Sequence, residues 1–190
     1  MLARRPEVLA VPLERPGILP TLFSIVFGQM RSCARAVVLL RCDEQSLMTK
    51  VASAPFAGVG RLRAFVLDLA ALMDRTADEA EILEAGGALL ADLVAVDDWL
   101  PEDYAQPDPE RYRQYLLHCD SAERFSVVSF VWGPGQSTPI HDHTVWGLVG
   151  VLRGAERTQF FRPAPGGLAA GPVSLLEQGQ IERLSPRQGD

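Results

Sequence analysis

The sequence predicts helices first and then consecutive antiparallel strands that form a β-sandwich or barrel, a mainly β fold with N-terminal helices. Three observations predict it. Apolar residues recur at helical spacing over 61–75 and again over 77–96. After Asp120 the spacing changes to short runs rich in β-branched and aromatic residues. Gly and Pro residues then punctuate those runs, as hairpin turns require.

Taken in chain order, residues 1–55 stand apart. Prolines fall at 6, 12, 16 and 20, and TLFSIVFGQMRSCARAVVLL over 21–40 is apolar without a clean period of 3.6 or 2.0. This stretch is expected to be an N-terminal extension, an arm or a small helix, with Met48 as an alternative start. The domain itself is expected over 56–190, helical over 60–120 and a β-barrel from 125. In RLRAFVLDLAALMDR, Leu62, Phe65, Val66, Leu69, Leu72 and Met73 make one apolar helix stripe. Thr76 and Glu79 read as a capping box opening a second helix, with Ile82, Leu83, Leu89, Leu90, Leu93 and Val94 inward. Gly86 and Gly87 each weaken that helix by about 1 kcal/mol relative to Ala, so a kink is expected there. Asp108-Pro109 reads as an N-cap followed by Pro at the first helical position, opening a short helix, PERYRQYLL. Strands are expected at 125–132, 145–154 and 156–162, a loop at 163–167, and further strands at 172–178 and 180–184.

Composition bounds the function. The chain has 190 residues, 47% hydrophobic and 22% charged, which is globular rather than disordered. Its formal net charge of −6 argues against nucleic acid as a partner. The charge is uneven: residues 1–50 hold seven Lys/Arg against four Asp/Glu, and the remainder eleven against twenty. No apolar run reaches the roughly 20 residues that a membrane span needs. Cys33, Cys42 and Cys119 are an odd count at scattered spacings with no CxxC, which reads as three reduced thiols in a cytoplasmic protein.

The three histidines are His118, His141 and His143, and two of them sit in GPGQSTPIHDHTVWG. On an extended strand, His-x-His places both imidazoles on one face, about 6.5–7 Å apart along the backbone. Neutral imidazoles at that spacing can converge on Fe(II), Zn, Cu or Ni. Asp142 should point to the opposite face and serve a turn or a supporting hydrogen bond. Taken without context, the same pair also reads as two half-exposed loop histidines.

The pattern Gly135-x5-His141-x-His143-x3-Gly147-x6-Gly154 resembles the first motif of the cupins, except that Gly147 stands where most cupins carry a metal-binding Glu. WGPGQSTPIHDHT over 132–144, with YRQYLLHCD and FSVVSFVWGPG, resembles the cysteine dioxygenase type I family, the thiol dioxygenase branch of the cupins. The resemblance covers roughly residues 60–184. It implies a double-stranded β-helix (jelly-roll) barrel and a non-haem Fe2+ enzyme. The implied reaction oxidises a small thiol to its sulfinate with both atoms of O2, and implies neither a nucleic-acid nor a membrane partner.

Carried over by position, the resemblance makes His141 and His143 two of three iron-binding histidines. The third belongs to a G-D-x-H motif whose start matches Gly189-Asp190, so that ligand is expected beyond Asp190 and the barrel is expected to be incomplete at its C-terminal end. Gln114 occupies the position where mammalian-type members carry a carboxylate-binding Arg, and bacterial members with Gln there resemble 3-mercaptopropionate dioxygenases. Tyr112 matches a pocket residue; by spacing alone it reads equally as packing. Gly147 also matches the crosslinking cysteine of the mammalian enzymes, so no Cys–Tyr crosslink is expected. Trp132 and Trp146 are expected to be packing residues. The competing expectation is a truncated, non-catalytic cupin that binds a metal or small molecule.

Overall fold

The computed structural model describes residues 7–12, 21–28 and 59–187, the first two segments by their backbone. Helix α1 (Val59–Arg75) and helix α2 (Glu79–Val94) come first among the well-packed elements, as the apolar spacing predicts. Phe65, Leu69 and Leu72 of α1 are buried, together with Ile82, Leu83, Leu90, Leu93 and Val94 of α2. The N-cap of α2 is Asp78, whose carboxylate accepts the Glu81 amide at 2.9 Å, rather than Thr76. Thr76 instead accepts the Asp78 amide, at 3.1 Å, and so shapes the turn before the cap. At the far end the buried Trp99 indole donates to the Leu93 carbonyl at 3.0 Å, closing one of the carbonyls that a helix end leaves open.

Among the described residues, eight strands form two antiparallel sheets. They are β1 (Glu7–Pro12), β2 (Thr21–Gly28), β3 (Arg113–Cys119), β4 (Phe125–Trp132), β5 (Gly147–Arg153), β6 (Ala155–Ala164), β7 (Gly167–Glu177) and β8 (Ile181–Leu184). One sheet runs β3-β4-β2-β5-β8 and the other β1-β6-β7. The strands expected at 125–132, 145–154, 156–162, 172–178 and 180–184 all appear, and the expected loop at 163–167 is a tight hairpin turn between β6 and β7.

The two faces of the larger sheet bury different clusters. Phe125, Val127 and Val131 of β4, with Leu148 and Leu152 of β5, pack against α1 and α2. Their alternates Val128, Phe130, Trp132, Val149 and Val151 form an inner cluster with Leu176 of β7 and Leu184 of β8. All of β4 is therefore buried, which explains its unbroken apolar run. The glycine pair in α2 brings the helix close to the sheet: a Cβ on Gly87 would lie 2.8 Å from Arg183 Nε, which donates to the Leu83 carbonyl at 3.0 Å. The helix runs unbroken through both glycines, so the kink expected there gives way to close packing.

Four expectations are corrected. Two strands fall within the expected extension over 1–55, and β2 lies at the centre of the larger sheet, with Ile25 in register with Val128 on one side and Val149 on the other. A central strand of a sheet covered on both faces carries no alternation to read. The rest of that stretch, Met48 included, lies outside the described residues. The helix expected from Pro109 is instead a turn followed by β3: Asp108 accepts the Glu110 amide at 2.9 Å, and Gln114 and Leu116 register with Phe130 and Val128. The same Asp signal opens helices and turns alike. Cys119 is disulfide-bonded where a reduced thiol was expected, because sequence spacing does not show which cysteines meet in space. His141 and His143 sit in the connection before β5 rather than on a regular strand. Among the described residues, no helix is long and apolar enough to cross a membrane.

Candidate functional site

The connection between β4 and β5 carries both histidines and is built by a small set of hydrogen bonds. Gly135 adopts φ 76°, a left-handed conformation that favours glycine and turns the chain back after Trp132. The Gln136 amide then holds the turn. Its oxygen accepts the Gly133 amide at 2.8 Å, and its nitrogen donates to the Asp108 carbonyl at 2.8 Å. Gln136 thus ties the histidine-bearing loop to the segment that leads into β3. Asp108 is itself fixed by an ion pair with Arg113 at 2.8 Å, and its carboxyl is held below the usual range by the Glu110 amide and by Arg113.

His141 and His143 lie close together in this connection. Their ring centroids lie 5.0 Å apart with the rings nearly perpendicular, at 81°. Two imidazoles bound to one metal at about 2.1 Å, at angles of roughly 90–110°, would place their centroids about 4.5–5.2 Å apart. The observed separation fits that range. His141 Nδ1 lies 2.8 Å from the Pro139 carbonyl oxygen. A carbonyl only accepts, so Nδ1 carries a proton. In metal-binding histidines generally, a bond of this kind to a backbone carbonyl fixes the tautomer. Asp142 is exposed between them.

The residues expected to meet substrate lie on and beside β3. The Tyr112 ring stacks on Trp132 at 4.2 Å and 20°, and lies 6.2 Å from Phe130. Gln114 Nε2 donates to the Tyr112 hydroxyl at 3.4 Å. Alternation on β3 sends Tyr112, Gln114 and Leu116 to the inner face of the sheet, since Tyr112 and Leu116 both pack on the inner cluster. Arg113 goes the other way, to Asp108 and the Tyr115 hydroxyl, and brings no charge to Gln114. Trp132 therefore joins the two halves: its ring supports Tyr112, and the loop bearing the histidines begins at its C-terminal side.

The structure does not bring His118 to the pair. Its ring packs 5.6 Å from Phe125, whose side chain belongs to the helix-facing cluster. Gly147, buried at the start of β5, supplies no carboxylate. Among the described residues no group of three or more His, Cys, Asp or Glu side chains is placed to hold a metal. The described residues thus fit two positions of a metal site and not a third. Trp146 is buried in the helix-facing cluster and is a packing residue.

Gln136 is the residue that sequence reasoning passed over. The sequence carried no signal for it, because one of its two partners is the Asp108 carbonyl, 28 residues away. Replacing Gln136 with Ala leaves a backbone donor and a backbone acceptor without their partner. This should lower stability by about 1–3 kcal/mol in urea unfolding, and the Gly133 amide should exchange faster with solvent. No protein-family model matches the chain.

Proposed function

We propose that this chain is a thiol dioxygenase of the cysteine dioxygenase type I family, built on a cupin jelly-roll. In this reading His141 and His143 hold two positions of an Fe2+ site, and the described residues supply no third ligand. The observation that carries it is the convergence of the two rings, with His141 Nδ1 held by the Pro139 carbonyl. The quoted W-G-x-G and I-H-D-H-T motifs support the same reading. The bound iron would supply the redox chemistry that joins both atoms of O2 to the sulfur of a thiol and yields a sulfinate.

The chain's own residues have separable tasks. The two neutral imidazoles leave the metal its full positive charge, which favours an anionic thiolate. Tyr112, braced on Trp132, presents its hydroxyl beside the Gln114 amide, so these two side chains offer a polar edge in an otherwise apolar wall. The inner cluster of Val128, Phe130, Trp132, Val149 and Val151 lies buried behind them, while Gln114 itself is exposed. Gln114 can hydrogen-bond a carboxylate but cannot neutralise it, whereas an Arg fork would grip it bidentately. The proposed substrate is therefore 3-mercaptopropionate in preference to cysteine, whose amino group needs a firmly held carboxylate to reach the metal.

Gln114→Arg tests this directly. The variant should shift the ratio of kcat/KM toward cysteine by about 1–3 kcal/mol, read as oxygen consumption with each thiol. A wild type that turns over cysteine as efficiently as 3-mercaptopropionate would refute the substrate assignment. A second reading, a non-catalytic domain that binds a metal or small molecule, is favoured by the two-ligand group alone. Metal binding without thiol-dependent oxygen uptake would select it.

A further inference from the structure

Large apolar side chains left in solvent gather on one strand. Leu168, Val173 and Leu175 of β7 are 41%, 49% and 45% exposed. Val173 and Leu175 lie on the outer face of the smaller sheet, in register with Gln159 and Arg157 of β6. Leu176, the next residue along, turns inward to the cluster shared with the larger sheet. β7 closes one edge of the smaller sheet, and Glu177 at its end is its one charged residue. Apolar surface gathered on an edge strand marks a place where another chain sits.

The charges around Leu175 say which chain. Arg157 registers with Leu175 and Glu177 with Ala155, so both charges share the outer face with Leu175. Among the described residues neither is in an ion pair. Neighbouring strands lie about 4.8 Å apart, and two residues span about 6.7 Å along a strand. Arg157 and Glu177 therefore flank Leu175 on two sides at comparable distances. A two-fold axis in the plane of this face that exchanges those two positions passes close to Leu175. An acidic or a basic partner would call for one sign of charge here; a face carrying both signs about its apolar centre is complementary to itself.

We propose that the outer face of β6 and β7 is the contact between two copies of this chain, related by a two-fold axis that runs past Leu175. Leu175 of one protomer packs on its own copy. Arg157 meets Glu177 of the partner subunit, and the symmetry makes that pair twice. Removing the apolar surface from water drives the association. The ion pairs set its orientation more than its strength, because exposed pairs contribute little. The contact does not depend on the function proposed above.

The test is sedimentation of the 190-residue chain over a range of concentrations at low salt, with far-UV circular dichroism to confirm that each variant is folded. Wild type should dimerise reversibly, and Leu175→Asp should be monomeric. Arg157→Glu and Glu177→Arg each create two like-charge contacts, and each should raise the dimer dissociation constant by about tenfold or more. An equimolar mixture of those two variants should regain the wild-type constant, because both contacts of the mixed dimer again join opposite charges. A wild type that stays monomeric at every concentration, as it would if this face meets a different molecule, would overturn the proposal. So would a dimer that Leu175→Asp and both charge reversals leave intact, or a mixture that associates no better than its components.

Discussion

Replacing His143 with alanine should abolish iron binding and turnover while leaving the two sheets folded. The residue lies in the β4–β5 connection, outside both apolar clusters, and is only half-buried. Its removal opens no core cavity, and surface changes away from core, caps and networks usually stay within about 0.5 kcal/mol. The metal effect is large because one imidazole of the pair is lost outright. Metal analysis after desalting, oxygen uptake and a thermal melt on the same preparation separate the two effects. A variant that keeps substantial iron and turnover would remove His143 from the site, and a variant that unfolds would make it a structural residue.

Leu90→Ala should be the most costly single truncation in the core, by about 3–5 kcal/mol. Leu90 is fully buried in α2. It lies against the bare backbone of β5 at Gly150, where an added Cβ would come within 3.0 Å of both Leu90 Cγ and Val94 Cγ1. No side chain at 150 can swing into the vacated space, so the cavity should persist and the cost should sit high in its range. Gly150→Ala alone should also destabilise, by forcing Leu90 and Val94 aside. The two changes together should cost less than their sum, since the added methyl fills part of the gap. Urea midpoints of the four proteins check this, and simple additivity would show that the helix does not rest on Gly150.

Much of the fold was legible because one face of each well-packed element is buried against a neighbour. The stripe from Leu62 to Met73 carries its burial in its spacing, and the run at 125–132 is apolar throughout because both of its faces are buried. Two elements were misread for physical reasons. β2 sits between β4 and β5 in a sheet covered on both sides, and such a strand shows no polar alternation. In β3, Asp108-Pro109 carries a helix-start signal that the turn at Glu110 uses instead, and pairing with β4 overrides it. At the site, the W-G-x-G turn announced the bend before the histidines, whereas the strand geometry expected of His141 and His143 gave way to a connection. The Gln136 tie was not legible, because its partners are backbone groups at 108 and 133.

The proposal that this chain directs both atoms of O2 onto a thiol sulfur is tested most directly by isotope labelling. Iron-loaded protein would be given 3-mercaptopropionate under 18O2, and the product weighed by mass spectrometry. A sulfinate carrying two labelled oxygens, formed by wild type and not by His143→Ala, is the predicted result. Product with no label or a single labelled oxygen, or no sulfinate at all, would contradict it.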